Sequence, residues 1–339
     1  MARETRTYNL CIVGMGNVGQ ELVRLLQSKS DELRQRGIEW KITGIASRRL
    51  GWIALRQGLD CAAILDDSHR ARLRPSADNV RDWLKQAEAD VLFEASSLNR
   101  HNGQPAIEHI EAALRRGAHA ISANKGPVVF AHAELSKLAQ AQGKHFLFES
   151  TVMDGAPIFS LFREAFPLAK VNGFHGILNS TTNVVLEQME AGLPLTEAVK
   201  KAQAMGIAET DPTDDLEGWD AIMKVCALAT VLLGQPLRPD DVERRGISGL
   251  HEATVKAARQ QGTPFKLICR ARREDGDVRA SVKPEQVPLS DPLSHVDGSS
   301  SAVHFELDIL PGLTLIEHNP GLATTAYGMV ADFIRAVGR

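Results

Sequence analysis

Cysteine is sparse in this chain. Cys11, Cys61, Cys226 and Cys269 are its four, widely scattered along 339 residues. No C-x-x-C pair and no Cys/His zinc spacing occurs, so reduced structural thiols and a cytoplasmic location are expected. Excess charge of one sign is missing too. A net charge of −3 gives no electrostatic case for nucleic acid, and the basic pairs Arg48-Arg49 and Arg244-Arg245 stand alone. No apolar run is long enough for a membrane span. The N-terminus "MARETRTYNLCIVG" has an apolar run that reads as a first strand and not as a signal peptide. Eleven histidines show no H-E-x-x-H or paired ligand spacing, which leaves His101 and His318 as surface or outer residues with no metal assigned. Internal repeats and low-complexity tracts are also absent.

What remains is a globular composition, 43% hydrophobic and 24% charged, long enough for one large or two ordinary domains. "YNLCIVGMGNVGQELVRLLQ" leads an apolar strand into Gly14-x-Gly16-x-x-Gly19 and then an amphipathic helix. Glycines there permit the tight turn, close backbone approach to a pyrophosphate, and packing of helix on strand. The helix start adds free N–H groups and a positive dipole end. Alone the motif is weak; between strand and helix it predicts a dinucleotide site. Strand-like "WKITGIAS", "ADVLFEASS", "AHAISAN" and "KHFLFEST" then alternate with helical "QPAIEHIEAALRRG" and "HAELSKLAQAQG". The fold expected is α/β, a Rossmann-type doubly wound parallel sheet with its cofactor at the C-terminal strand edge. After the second strand, Ser47-Arg48-Arg49 stands where an NAD site usually carries an acid. A hydroxyl and two guanidiniums suit a 2′-phosphate, which favours NADP over NAD; the bland reading is a solvated loop.

"AISANKGPVVF" puts Ser122, Asn124 and Lys125 at a strand's C-terminal end, with Gly126-Pro127 read as a turn behind them. A lysine there is either a surface residue or an acid/base group at the mouth of the crevice. Further on, "AETDPTDDLEGWDAIMK" holds six carboxylates in seventeen residues and then enters an apolar helix. Asp220 and Lys224 fall one turn apart on that helix, which is apolar on every face beyond them. A structural salt bridge is the bland reading. The crowding of Glu209, Asp211, Asp214 and Asp215 points instead to a cationic ligand, an α-amino group, since unpaired carboxylates beside a buried element repel one another.

These segments, together with "SANKGPV", "FESTVMDGAPIF", "GILNSTTNVVLEQM" and "AQAMGIAETDPTDDLEGWDAIMKVCALA", resemble the homoserine dehydrogenase family across essentially the whole chain. The resemblance implies reversible NAD(P)-dependent interconversion of L-homoserine and L-aspartate 4-semialdehyde, on the route to threonine and methionine. It implies that Gly14, Gly16, Asn17, Val18 and Gly19 cradle the pyrophosphate. Ser96 and Ser97 would lie on the nicotinamide side, with Ser122 and Lys125 near the reacting carbon. Thr181, Glu209, Asp215, Asp220 and Lys224 would hold substrate; either Lys125 or Lys224 would exchange the catalytic proton, with Lys125 preferred and Lys224 positioned by Asp220. A sodium or potassium ion would sit in the turn containing Glu149, Val152, Asp154 and Ala156, although Met153-Asp154 stands where small residues are usual. Ser180 departs from a usual glycine, and "EHNPGLATTAYG", with His318 and Asn319, replaces a glycine-rich turn. A homodimer is implied as well.

Residues 1–150 and 318–339 are expected to bind the dinucleotide, and 151–317 to form an α+β substrate and dimerisation domain with a mixed sheet. In it "FKLICRARREDGDVRASVKPEQV" reads as a hairpin about Asp275-Gly276 with its arginines facing water, "SSAVHFELDI" as a strand, and "PLSDPLSHVDGSSS" as a linker-like mobile loop. No C-terminal regulatory domain is expected after "TAYGMVADFIRA". The rivals are a related amino-alcohol dehydrogenase, a non-catalytic NADP-binding sensor, and an aspartate-semialdehyde dehydrogenase. The last needs a cysteine nucleophile, and no cysteine lies in a matching motif.

Overall fold

The computed structural model describes residues 5–338, so the expected domain ends at 1 and 339 lie outside the described residues. Two compact units divide the chain, Met1–Ile158 with Gly321–Arg339, and Phe159–Pro320.

In the first unit the chain runs β1 (Arg6–Val13), α1 (Asn17–Ser28), β2 (Ile38–Ser47), β3 (Gly51–Ala54), α2 (Val80–Gln86), β4 (Val91–Glu94), α3 (Ala106–Arg116), β5 (His119–Ser122), α4 (Lys125–Ala141) and β6 (Phe146–Leu147). These strands form one sheet in the order β3-β2-β1-β4-β5-β6. All neighbours are parallel except β3, which returns antiparallel on β2 after a short turn. That strand was not expected, because four residues opened by a glycine carry too little pattern to read; burial of Ile53 and the tilted packing of Trp52 on Trp83, 5.1 Å between ring centres, hold it in place. Strand order reverses between β1 and β4, the place where such sheets open a ligand crevice. Register sets Val13, Glu94 and Ser122 side by side at the C-terminal strand ends.

The core beneath is apolar from every contributor: Leu10, Ile12, Phe93 and Ile121 from the strands, Leu22 and Leu26 from α1, and Ala326, Met329 and Phe333 from the closing helix Leu322–Val337. Phe333 is fully buried and meets Tyr8 and Phe93 edge-on, each at 5.9 Å between ring centres.

In the second unit come β7 (Val171–Ile177), α5 (Ser180–Glu190), α6 (Leu195–Ala204), α7 (Trp219–Leu232), β8 (Glu243–Arg244), α8 (Glu252–Gln260), β9 (Phe265–Glu274), β10 (Asp277–Gln286), β11 (Ser301–Leu307) and β12 (Leu313–Glu317). Their sheet is mixed, ordered β12-β11-β7-β9-β10-β8, with only β10 and β8 parallel. The β9–β10 hairpin turns through Asp275 and Gly276 at φ +52° and +95°, the paired left-handed backbone of a tight two-residue turn.

The stretch expected to be a mobile loop, 288–301, is instead pinned. Leu293 and Val296 are buried against Ile177 and Ile268, and Asp291 accepts the Leu293 N–H at 2.9 Å. Lys266, only 3% exposed, donates to Val296 O at 2.7 Å and Asn183 Oδ1 at 3.1 Å. A buried ammonium needs such acceptors, and this one finds them in the loop. Polar composition had hidden the two apolar anchors.

Because Phe333 joins the closing helix to the sheet core, Phe333→Ala should cost about 3–5 kcal/mol. Urea unfolding of the two proteins measures the difference; a loss below about 1 kcal/mol would show that the site collapses around the cavity.

Candidate active site

The glycine turn is shaped by what lies against it. Gly14 has φ +96°, and a Cβ there would collide with the Ala95 carbonyl. One at Gly19 would collide with Gly14 O, whereas Gly16 faces open space. Two of the glycines therefore let backbones touch, and the third leaves the turn bare for a ligand. No side chain caps α1, and its first intrahelical bond runs from Gln20 N–H to Gly16 O at 3.0 Å. The N–H groups of Asn17, Val18 and Gly19 come before that bond, so a pyrophosphate fits this turn. At the end of β2 the Ser47 hydroxyl accepts the Leu50 N–H at 3.2 Å, closing a turn that exposes Arg48 and Arg49. Neither arginine forms an ion pair among the described residues.

Ser96 and Ser97 follow β4. Ser96 N–H donates to Glu94 Oε1 at 2.9 Å, its hydroxyl donates to the same oxygen, and the Asn124 amide donates to Ser96 O at 3.1 Å and Ser97 O at 3.4 Å. Asn124 also caps α4, accepting the Gly126 N–H at 2.9 Å. Lys125 is thus the first residue of a helix, and the expected turn at Gly126-Pro127 is that helix's first turn. Proline is tolerated there because the N–H it lacks would have had no helical partner. Ser122 is fully buried, its hydroxyl exchanging 3.0 Å hydrogen bonds with the Asn124 backbone, so it shapes the turn from within.

The turn expected to hold a cation is tied to the closing helix. Glu149 N–H donates to Asp332 at 2.8 Å, Ser150 donates to Thr325 O at 2.7 Å, and Thr325 donates to the Asp154 carboxylate. Val152 and Met153 are buried, so the unusual Met153 is a core side chain, and Asp154 takes the left-handed backbone at φ +39°. Ala156 O accepts the Ile158 N–H at 2.8 Å. Among the described residues no cluster of three metal-ligating side chains occurs, so an ion here would rest on main-chain oxygens.

In the second unit the acidic stretch divides by task. Asp211 caps Thr213, Glu217 lies 3.3 Å from Arg244, and Asp214 and Glu209 are exposed. Only Asp215 and Asp220 converge: Asn179 Nδ2 donates to them at 2.7 and 3.2 Å. Lys224 Nζ lies 3.4 Å from Asp220 and donates to Leu178 O at 2.6 Å. Asn179 meanwhile caps α5 through the Thr182 N–H at 2.9 Å. Gly218 at φ +80° turns the chain into α7, where the Arg244 guanidinium stacks 4.0 Å over Trp219. Burial, then the Asp220 carboxylate, raise the Asp215 proton affinity above the ordinary range, against hydrogen bonds from Asn179 and Thr181 and the charge of Lys224. Carboxylates and an ammonium are therefore held within one cluster, the complement of an amino acid.

Residues 14–149 match the homoserine dehydrogenase NAD-binding domain model, and 157–334 match the homoserine dehydrogenase model itself. The chain belongs to the homoserine dehydrogenase family. An NAD(+)-dependent homoserine dehydrogenase of Pseudomonas canavaninivorans is 36% identical, with 96% of this chain and 95% of that protein aligned. The homoserine dehydrogenase of Methanocaldococcus jannaschii is 32% identical over 96% and 97%. A crystal structure from Archaeoglobus fulgidus assigned to homoserine dehydrogenase superposes with a TM-score of 0.87 at 30% identity, covering 98% of this chain and all of that one. The first unit is accordingly a nicotinamide-dinucleotide-binding domain and the chain an oxidoreductase of this family.

The sequence placed Asn124 at the strand end without its capping role and did not single out Asn179. Asn124 and Asn179 each sit one residue before a helical run, and that N-cap position was the available signal. Glu94 and its partner His109, 2.6 Å apart and buried, had none.

A carboxyl that binds its proton more tightly folded than unfolded makes folding progressively costlier as pH climbs from 3.8 through its raised value. Asp215→Asn should therefore gain stability relative to wild type as pH rises from 3.8 through that raised value, read as the difference in melting temperature across the rise. A difference that stays flat with pH would contradict the assignment.

Proposed function

We propose that the chain catalyses the reversible NADP-linked interconversion of L-homoserine and L-aspartate 4-semialdehyde, on the way to threonine and methionine. The cluster of Asp215, Asp220 and Lys224 around Asn179 carries the reading: carboxylates bind an α-ammonium, a lysine binds an α-carboxylate or hydroxyl, and little else of that size needs both. Thr181 and Glu209 complete the substrate contacts. When bound, the nicotinamide supplies or accepts the hydride. Gly14, Gly16, Asn17, Val18 and Gly19 hold the pyrophosphate, Ser96 and Ser97 border the nicotinamide side, Ser122 shapes the turn that carries Lys125 near the reacting carbon, and Lys125 exchanges the hydroxyl proton. Lys224, tied to Leu178 O and Asp220, orients the substrate. A monovalent cation on the carbonyls of the 149–156 turn, a homodimer and a cytoplasmic location complete the proposal.

NADP rests on Ser47, Arg48 and Arg49, a strand end with two exposed guanidiniums and no acid. NAD is the second reading, favoured by the name of the Pseudomonas relative.

Absorbance at the reduced-nicotinamide band with L-homoserine and either cofactor tests both. Turnover should appear, falling by about 10²-fold or more in Lys125→Ala and in Lys224→Ala. The Arg48→Ala, Arg49→Ala double variant should raise KM for NADP about tenfold or more and leave NAD unchanged. Faster turnover with NAD, indifferent to both arginines, would make them a solvated loop. No turnover in either direction, with sodium or potassium present, would leave the cluster to a related amino alcohol or to binding alone.

A further inference from the structure

Glu94 has no part in the reading above, yet it is the most enclosed carboxylate beside the cofactor turn, with no exposed surface. Both its oxygens are used. Oε1 accepts the Ser96 N–H at 2.9 Å and the Ser96 hydroxyl, while Oε2 lies 2.6 Å from Nδ1 of His109, itself 5% exposed on α3. Burying such a group without partners costs several kcal/mol, and an apolar residue would serve stability as well or better. A stabilising role alone leaves its position unexplained.

That position is at the junction of the two backbones that matter. The Ala95 carbonyl lies against Gly14, so any shift of the 95–97 segment meets the pyrophosphate turn. The next carbonyls, Ser96 O and Ser97 O, receive the Asn124 amide, whose own oxygen caps α4 one residue before Lys125. A second backbone contact runs parallel to this one, since a Cβ on Gly126 would fall 2.8 Å from the Gly103 Cα. The chain of contact is therefore His109 to Glu94, Glu94 to Ser96, Ser96 and Ser97 to Asn124, and Asn124 to the start of α4.

We propose that Glu94, braced by His109, is a positioning residue that sets the 95–97 segment and through Asn124 fixes Lys125. The catalytic part of this inference rests on the function proposed above; the positioning part does not. Three full-length variants separate the possibilities. Glu94→Leu removes every acceptor, Glu94→Gln keeps an oxygen for Ser96 and an amide for His109, and Asn124→Asp keeps the α4 cap but loses the donors to Ser96 O and Ser97 O.

Amide hydrogen exchange over 95–97 and 124–126 is measured without substrate, and kcat and KM with L-homoserine. Glu94→Leu and Asn124→Asp should both speed exchange in the two segments and lower kcat about 10–100-fold, with KM for L-homoserine changing less than about threefold. Glu94→Gln should recover most of the loss. Wild-type exchange at 124–126 in a folded Glu94→Leu protein would overturn the proposal, as would failure of Glu94→Gln to recover anything. Should Glu94→Leu not fold, Asn124→Asp decides alone, and unchanged exchange there overturns it. A wild-type protein without homoserine turnover would sink the functional reading while the exchange result still judged the positioning.

Discussion

Charge taken out of water must be met by directed hydrogen bonds, and this chain meets it with short, stiff side chains at the ends of strands and the starts of helices. Asn179 does so twice in one residue, capping α5 with its oxygen and holding Asp215 and Asp220 with its nitrogen. Asn124 repeats the device in the other unit, with α4 on one side and the Ser96 and Ser97 carbonyls on the other. An asparagine suits this work because one planar amide offers acceptor and donor in fixed relation. Helix position and charge position are thus set by the same group, so neither can drift without the other.

Close backbone approach is the second constraint and depends on the first. Gly14 is required both by its left-handed backbone and by contact with Ala95, and Gly19 by contact with Gly14. The turn they make is useful only if the segment after β4 stays where Glu94 holds it. Register brings Val13, Glu94 and Ser122 level, so three strand ends present their following residues to one edge. The buried aromatic and aliphatic packing of Phe333, Phe93 and Ile12 supplies the rigidity on which that alignment rests.

Much of this was readable from residues in order. The glycine motif between strand and helix, the alternating elements, the Asp275-Gly276 hairpin and the i,i+4 spacing of Asp220 and Lys224 are local signals, and local geometry follows them. Harder to see were features made by distance. Gly51–Ala54 is a strand because Trp83 packs against Trp52 and donates to the Ile53 carbonyl, and the 288–301 segment is fixed because Lys266 and Asn183 reach it. Both depend on partners at least thirty residues away. Lys125 was recognised, but not as the opening of a helix, since Gly-Pro reads as a turn unless the preceding asparagine is seen as a cap.

The acidic stretch shows how such partners change meaning. Six carboxylates in seventeen residues read as one repelling crowd, whereas folding sends Asp211 to a turn, Glu217 to Arg244, and the half-buried Asp215 and Asp220 to the Asn179 amide. Burial first, and the neighbouring Asp220 carboxylate second, raise the proton affinity of Asp215, and Asn179, Thr181 and Lys224 only partly offset them. A site left in that condition favours whatever brings positive charge to it. At the mouth of a buried helix such a pair is stabilised by any added positive charge, whereas on an open surface water would screen the same two carboxylates.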